Sequence, residues 1–92
     1  MKQEKYGEAK RYFESAKRLN PYSSSIYTYL GLTHKHLNDP QKALAEFQKA
    51  EQLNPSHMHN KFHRAITLMQ LDQRQEAMDL LKQLLRECPK EP

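Results

Sequence analysis

Apolar side chains recur every three or four residues in five stretches of this chain, which is the spacing of one face of an α-helix. In the first stretch, over residues 5–19, they are Tyr6, Ala9, Tyr12, Phe13, Ala16 and Leu19. No stretch alternates apolar and polar residues as a half-buried strand would. The pattern therefore predicts an all-α fold of about five helices.

Asparagine and proline mark the ends of the predicted helices. Asn20-Pro21 follows the first helix and Asn54-Pro55 follows the third, and a proline disfavours the helical conformation in the residue before it. In Asn38-Asp39-Pro40, Asn tolerates a left-handed backbone, Asp can cap the next helix and Pro fits its first position. We expect helices over about 5–19, 26–37, 40–53, 58–71 and 72–88, with the serines at 23–25 capping the second and Asp72 opening the fifth.

Three prolines, Pro21, Pro55 and Pro89, are spaced 34 residues apart, and similar residues precede each of them at matching offsets. The matched sets are Ala9, Ala43 and Ala77, then Phe13, Phe47 and Leu81, then Ala16, Ala50 and Leu84. A fixed period of this length is typical of stacked helical hairpins that bury their apolar faces against their neighbours. We therefore look for function in a surface rather than in an enclosed active site.

This period carries a known pattern. Residues 27–34 contain Tyr-x2-Leu-Gly-x2-His, and residues 43–55 contain Ala-x3-Phe-x2-Ala followed by a proline. The pattern resembles the tetratricopeptide repeat, W-x2-L-G-x2-Y then A-x3-F and P, with Tyr27 and His34 as departures. The resemblance implies tetratricopeptide-type hairpins stacked as an α-solenoid fragment, with the second helix of a truncated repeat in 1–21, a complete repeat in 22–55 and a more degenerate repeat in 56–92.

Small residues explain how two helices of such a hairpin could approach each other. Gly31 on one helix and Ala43 on the next would bring the two backbones together, while Phe47 fills the space above them. Ala65 and Ala77 would repeat the pairing in the second hairpin.

The repeat register leaves both ends of the chain incomplete. Residues 1–4 align with the tail of a first helix that is missing, and the apolar stripe of the last helix, between Ala77 and Cys88, is about 160° wide, which is too broad for one neighbour. We expect a further helix there and a longer parent protein. Isolated copies should associate through the two exposed end faces.

Charge and composition exclude several classes. The chain has 15 Lys and Arg against 11 Asp and Glu, which is too small an excess to predict a nucleic-acid-binding surface. An RNA-binding helical repeat is nevertheless the alternative to a protein-binding one. No apolar run approaches the roughly 20 residues of a membrane span. Because the single cysteine, Cys88, cannot form an internal disulfide, a reducing compartment is favoured. We expect a nuclear or cytoplasmic protein without nucleic-acid or membrane partners.

No residues form a catalytic or cofactor-binding set. His34 and His36 lack a nucleophile and an orienting acid nearby, and the two glycines of the chain cannot form a phosphate-binding loop. His59 and His63 lie four residues apart, but no carboxylate occurs among residues 57–71, and a structural zinc site uses four ligands. We predict no enzyme activity, no cofactor and no metal.

The first helix of each hairpin lines the concave side of such a stack, so its outward positions are the candidate peptide-binding surface. These concave-face candidates are Ser25, Thr28, Leu32, His36, His59, Phe62, Ile66 and Met69. Their apolar members suit an extended peptide, with packing against neighbouring helices as the alternative reading. The Lys and Asn with which some family members grip an acidic C-terminus are absent at these positions, which disfavours a carboxylate clamp.

Segments that packing does not dictate carry a closer resemblance. Residues 2–6 (Lys-Gln-Glu-Lys-Tyr), 61–65 (Lys-Phe-His-Arg-Ala) and 89–91 (Pro-Lys-Glu) resemble the C-terminal repeats of the cell-division-cycle scaffold subunits of the anaphase-promoting complex. The resemblance implies a non-catalytic part of a ubiquitin ligase in cell-cycle control, whose partners are neighbouring subunits and coactivator tails ending in Ile-Arg. A generic adaptor in transport or chaperone assembly is the alternative.

The arginine of such a tail would need a carboxylate for bidentate pairing. Residues 20–38 and 52–71 contain no Asp or Glu. We therefore expect the arginine pocket, and full tail binding, to require repeats beyond this chain.

Overall fold

The computed structural model describes residues 2–87, with side chains from residue 5 to residue 86. Five α-helices fill this range, and it contains no strand: α1 (Lys2–Leu19), α2 (Ser24–His36), α3 (Pro40–Leu53), α4 (Met58–Gln70) and α5 (Arg74–Glu87). The predicted all-α fold of stacked hairpins is confirmed. The helix ends at Leu19 and Leu53, each followed by Asn-Pro, also agree with the prediction.

Two predicted boundaries are wrong. Residues 2–4 belong to α1, because Lys-Gln-Glu contains no residue that breaks a helix, so they are not the tail of another helix. Asp72 does not open α5: its φ of 62° places it in the left-handed region just after α4, and α5 begins at Arg74. Cys88 and Pro89, predicted to end the last helix and the last repeat, lie outside the described residues.

The turns after α2 and α4 have the same geometry. Asn38, with φ 65°, and Asp72 are the two non-glycine residues with positive φ in the described range, and they are 34 residues apart. Short polar side chains tolerate this conformation best. In each turn the following N–H bonds back to a helix carbonyl, Asp39 N to His34 O at 2.8 Å and Gln73 N to Leu68 O at 2.9 Å. One turn type therefore joins both hairpins.

The caps of the helices agree only in part with the prediction. Asp39 caps α3, since its carboxylate accepts from the backbone N–H of Lys42 at 3.4 Å, and Pro40 stands in the first turn. Ser23 occupies the cap position of α2 but makes no side-chain capping hydrogen bond. A serine therefore stands at the predicted cap position, but the predicted capping by its side chain is wrong.

Each helix packs against the next along the chain, and α2 also contacts α4. In the hairpin of α2 and α3, a Cβ added to Gly31 would lie 2.4 Å from a ring carbon of Phe47, and Phe47 and Ala43 are fully buried. This close approach was predicted from the sequence. It sets the distance between the two helices, because any side chain at position 31 would overlap the Phe47 ring unless that ring moved.

The second hairpin has a core of its own in α4 and α5. Ala65, Leu68, Ala77 and Leu80 form a buried cluster, and Leu44 of α3 packs against it together with Leu81. The core is therefore continuous between the hairpins, as in a stack of repeats. None of the described helices combines the length and the apolar character needed to cross a bilayer.

Candidate protein-interaction surface

Asn60 joins the two hairpins at the centre of the molecule. Its side chain is fully buried, and Nδ2 donates to the carbonyl oxygen of Phe47 on α3 at 2.7 Å. The hydroxyl of Thr28 on α2 lies 3.1 Å from Asn60 Oδ1 and 3.2 Å from the carbonyl oxygen of Ser24. One residue of α4 thus contacts α2 and α3 and places α2 and α4 side by side.

An ion pair holds α4 on α3 one turn further along. Arg64 Nε lies 2.9 Å from Glu51 Oε1, and Nη2 lies 3.4 Å from Oε2. Both side chains are mostly buried, so the pair is less screened than a surface ion pair. Arg64, unusual for a generic repeat, therefore has a structural contact.

A cleft of about 210 Å³ opens between α2 and α4 on the side formed by these two helices. We call it the concave cleft; its lining residues are Ser25, Thr28, Tyr29, Leu32, His57 and His59. It brings together four of the eight concave-face candidates. Thr28 among them is buried, and its hydroxyl is already shared between Asn60 and Ser24, so it forms the wall of the cleft rather than a free donor.

The other concave-face candidates lie elsewhere. His36 stacks on Tyr6 of α1, with ring centroids 4.4 Å apart and planes 4° from parallel, so its ring faces α1. Ile66 is half-buried and Met69 is 51% exposed on the later turns of α4. Phe62 lines a second groove. The eight candidates therefore do not form one site, and their role in binding stays a prediction.

Two histidines, His57 and His59, line the concave cleft, and His63 follows one turn after His59 on α4. His59 Nε2 and His63 Nε2 are 3.0 Å apart, so one nitrogen must carry a hydrogen and the other must accept it. Burial lowers the pKa of His63, and His59, Lys35 and His57 lower it further. The ring of His63 also stacks on Phe47. In the part of the chain with described side chains, no three His, Cys, Asp or Glu come together as a metal site would require.

The second groove lies between α4 and α5 and has a volume of about 480 Å³. We call it the end groove; its lining residues are Met58, His59, Phe62, Leu81, Leu84 and Leu85. Leu85 is 78% exposed and Phe62 is 46% exposed, although both are large and apolar. The broad stripe of the last helix forms one wall, and the expectation of a further helix against it stays a prediction.

Sequence reasoning missed Asn60 and His57. The repeat register contains a signal for Asn60, because the first repeat has the apolar Ile26 at the position 34 residues earlier. A polar residue at a position that packs on the preceding hairpin indicates a buried hydrogen bond. His57 had no comparable signal, since it stands at the helix cap, where Ser23 stands in the first repeat.

Family models of the tetratricopeptide repeat match residues 24–57 and 61–91. Among curated proteins, Superkiller protein 3 of Saccharomyces cerevisiae is 29% identical over 80 residues, which are 87% of this chain and 6% of that protein. The chain therefore spans a small fraction of this relative.

Solved structures share the fold at low sequence identity. MamA from Desulfovibrio magneticus RS-1, from residue 41 to its end, superposes with a TM-score of 0.86 at 21% identity, over 89% of this chain and 46% of that one. The first repeat domain of Spaghetti (RPAP3), bound to the HSP90 peptide SRMEEVD, superposes with a TM-score of 0.86 at 23% identity, over 98% of this chain and 73% of that one. The Yersinia enterocolitica translocator chaperone SycD superposes with a TM-score of 0.81 at 22% identity, over 96% of this chain and 63% of that one. Since the two family matches together span more than half of its length, the chain belongs to the tetratricopeptide repeat family.

Proposed function

We propose that this chain is a protein-interaction scaffold whose concave face, formed by α2 and α4, binds an extended segment of another protein. The observation that carries the proposal is the concave cleft, which exposes apolar and hydrogen-bonding side chains from two helices at once. Tyr29 on its rim is 52% exposed, and amphipathic side chains of this type are common anchors at protein interfaces.

The lining of the concave cleft indicates which segment would fit. Its polar side chains are those of Ser25, Thr28, Tyr29, His57 and His59, and it contains no carboxylate. Lys35 stands close enough to lower the pKa of His63, which adds positive charge on this side. An apolar side chain flanked by carbonyl or carboxylate oxygens suits these groups, whereas an arginine side chain would find no partner.

We further propose that the chain is a segment of the tetratricopeptide scaffold subunit of the anaphase-promoting complex, a nuclear or cytoplasmic ubiquitin ligase. The support is the resemblance of residues 2–6, 61–65 and 89–91. Under this proposal its partners are coactivators and neighbouring ligase subunits. The missing carboxylate still implies that an Ile-Arg tail would use repeats outside this chain for its arginine.

A generic adaptor in chaperone or transport assembly is the second candidate. It is favoured by the similarity in fold to the Spaghetti domain bound to an HSP90 peptide and to the chaperone SycD. The absence of Lys and Asn at the concave-face candidates argues against the same mode of peptide binding.

Affinity capture from dividing-cell extract tests these proposals. The immobilised 92-residue chain is compared with a Leu32→Glu variant in the concave cleft and with Ala45→Glu, which adds the same charge at an exposed position of α3. We expect neighbouring ligase subunits to bind the wild type and the control. The Leu32→Glu substitution should reduce the captured amount of these subunits about ten-fold or more. Circular dichroism of each variant verifies that it is folded.

The outcome separates the candidates. Enrichment of chaperones in place of ligase subunits would replace the first candidate by the second. Capture that Leu32→Glu leaves unchanged would contradict binding in the concave cleft itself.

A further inference from the structure

Two histidine side chains of α4 make a nitrogen–nitrogen contact at the concave cleft. His59 is exposed and lines the cleft, while His63 is half-buried one turn later. Their Nε2 atoms lie 3.0 Å apart, which is the length of a hydrogen bond. Two proton arrangements are compatible with this contact, because either Nε2 atom can carry the hydrogen. The two arrangements present different groups to the cleft.

The surroundings of His63 distinguish the two arrangements. Its Nδ1 atom is buried and has no hydrogen-bond partner among the described residues. Its ring stacks on Phe47, with centroids 5.9 Å apart, and makes an edge contact with Phe62 at 6.0 Å, and neither side chain has an acceptor atom. A hydrogen on Nδ1 would be a buried donor without an acceptor, and such orphaned N–H groups are rarer than under-satisfied acceptors. The surroundings therefore favour a bare Nδ1 in His63.

The position of the hydrogen on His63 determines the form of His59. Burial lowers the pKa of His63, and His59, Lys35 and His57 lower it further, so near pH 7 the ring is mainly neutral and carries one hydrogen. Because Nδ1 is bare, this hydrogen lies on Nε2 and is donated to Nε2 of His59. A neutral His59 must then carry its own hydrogen on Nδ1, the nitrogen that His63 does not contact.

We propose that His63 holds His59 in this form, so that His59 Nδ1–H is a fixed hydrogen-bond donor of the concave cleft and selects a bound segment with an acceptor oxygen beside it. His63 is then a positioning residue, because it acts through His59. The lining of the cleft contains no carboxylate that could occupy this donor, which leaves it for an oxygen of the partner. The role in binding rests on the proposed function, whereas the proton arrangement is a property of the free protein.

Long-range proton–nitrogen correlation spectra of the isotopically labelled 92-residue protein test the proton arrangement, because imidazole nitrogens with and without a hydrogen have well-separated chemical shifts. At about pH 8, above the ordinary histidine pKa, we expect a hydrogen on Nε2 of His63 and on Nδ1 of His59. The exposed His36 is the reference for a ring in contact with water, whose preferred form carries the hydrogen on Nε2. A His63→Leu variant should return His59 to this reference form.

Two substitutions of His59 test its role in binding. Asn has an amide nitrogen close to the position of Nδ1, whereas Leu has a similar shape without a donor. In affinity capture from dividing-cell extract, His59→Leu should reduce the captured neighbouring ligase subunits about three- to ten-fold, the range for one lost hydrogen bond, and His59→Asn should retain most of the binding. Gln48→Leu, at an exposed position of α3, is the control for an added leucine, and circular dichroism verifies that each variant is folded.

Two results would overturn the proposal. They are a hydrogen on Nδ1 of His63 or on Nε2 of His59 in the wild-type spectra, and equal capture by His59→Leu and His59→Asn. If Leu32→Glu leaves capture unchanged, the proposed function of the cleft fails and the donor role of His59 fails with it. The spectra of the free protein still decide the proton arrangement in that case, so the two failures are distinguishable.

Discussion

Replacing Gly31 by alanine tests the contact that sets the spacing of the first hairpin. The new Cβ would lie 2.4, 2.7 and 2.8 Å from three ring carbons of Phe47, so the ring would have to move by about 1 Å to reach an ordinary contact distance. Phe47 is fully buried, so a shift of its ring disturbs the side chains packed around it. Overpacking of this kind costs about 1–3 kcal/mol, and three simultaneous overlaps favour the upper end.

Alanine also has a favourable effect that must be subtracted. Within a helix it is more favourable than glycine by about 1 kcal/mol. Gly31→Ala should therefore lower the free energy of unfolding by about 2 kcal/mol, which corresponds to roughly 10 °C in the melting temperature of a domain of this size. A surface glycine would show the opposite sign.

The second repeat supplies the compensating change. It has Ala65 and Leu81 at the positions of Gly31 and Phe47. Alanine is larger than the glycine of the first repeat, and leucine is smaller than its phenylalanine. Phe47→Leu alone should cost about 1–2 kcal/mol. In the double variant the overlap is gone, and stability should equal or exceed that of Phe47→Leu, giving a coupling energy of about 2 kcal/mol or more.

Urea denaturation followed by circular dichroism measures all four proteins of this cycle. Wild type, the two single variants and the double variant are compared at one pH, with equal slopes required for a valid comparison. Additive effects, within about 0.5 kcal/mol, would refute the reasoning, as would an increase in stability from Gly31→Ala alone.

Two further predictions concern the buried polar groups. Asn60→Asp should lower the free energy of unfolding by about 2 kcal/mol or more at neutral pH, because a carboxylate oxygen would face the Phe47 carbonyl oxygen. Asn60→Leu should lower it less, since that carbonyl keeps its hydrogen bond within α3. Equal losses in urea denaturation would contradict this. Burial lowers the pKa values of His34 and His63 in the folded protein below the ordinary value of about 6.5. As the pH falls, the unfolded chain therefore takes up protons before the folded protein does. The free energy of unfolding should decrease below about pH 6.5, by at most about 1.4 kcal/mol per pH unit for each histidine. His63→Gln should make this slope shallower between about pH 7.5 and pH 5, and an unchanged slope would contradict the assignment.

Local patterns predicted the features of the fold that depend on neighbouring residues. The ends of α1 and α3 follow from Asn-Pro pairs, and the contact of Gly31 with Phe47 follows from the repeat pattern. Asp72 was misplaced because the turn after α4 lacks a proline, so its acidic residue resembled a helix cap. Its register with Asn38 would have corrected the assignment.

Features that depend on a third helix could not be predicted in the same way. Thr28 is outward on α2 considered alone, but α4 covers it and engages its hydroxyl through Asn60. Similarly, Tyr6 of α1 stacks on the ring of His36, which remains exposed. The candidate surface was therefore predicted at the level of the helices, while the availability of each side chain depended on packing between hairpins.

The placement of α4 beside α2 is the claim on which the proposed binding in the concave cleft depends. Nuclear Overhauser spectra of the isotopically labelled 92-residue protein test it through the side-chain amide protons of Asn60, which is buried between Thr28 and Phe47. We predict cross-peaks from these protons to both Thr28 and Phe47. Cross-peaks confined to α4, with a rapidly exchanging side-chain amide, would contradict the stacking of the two hairpins.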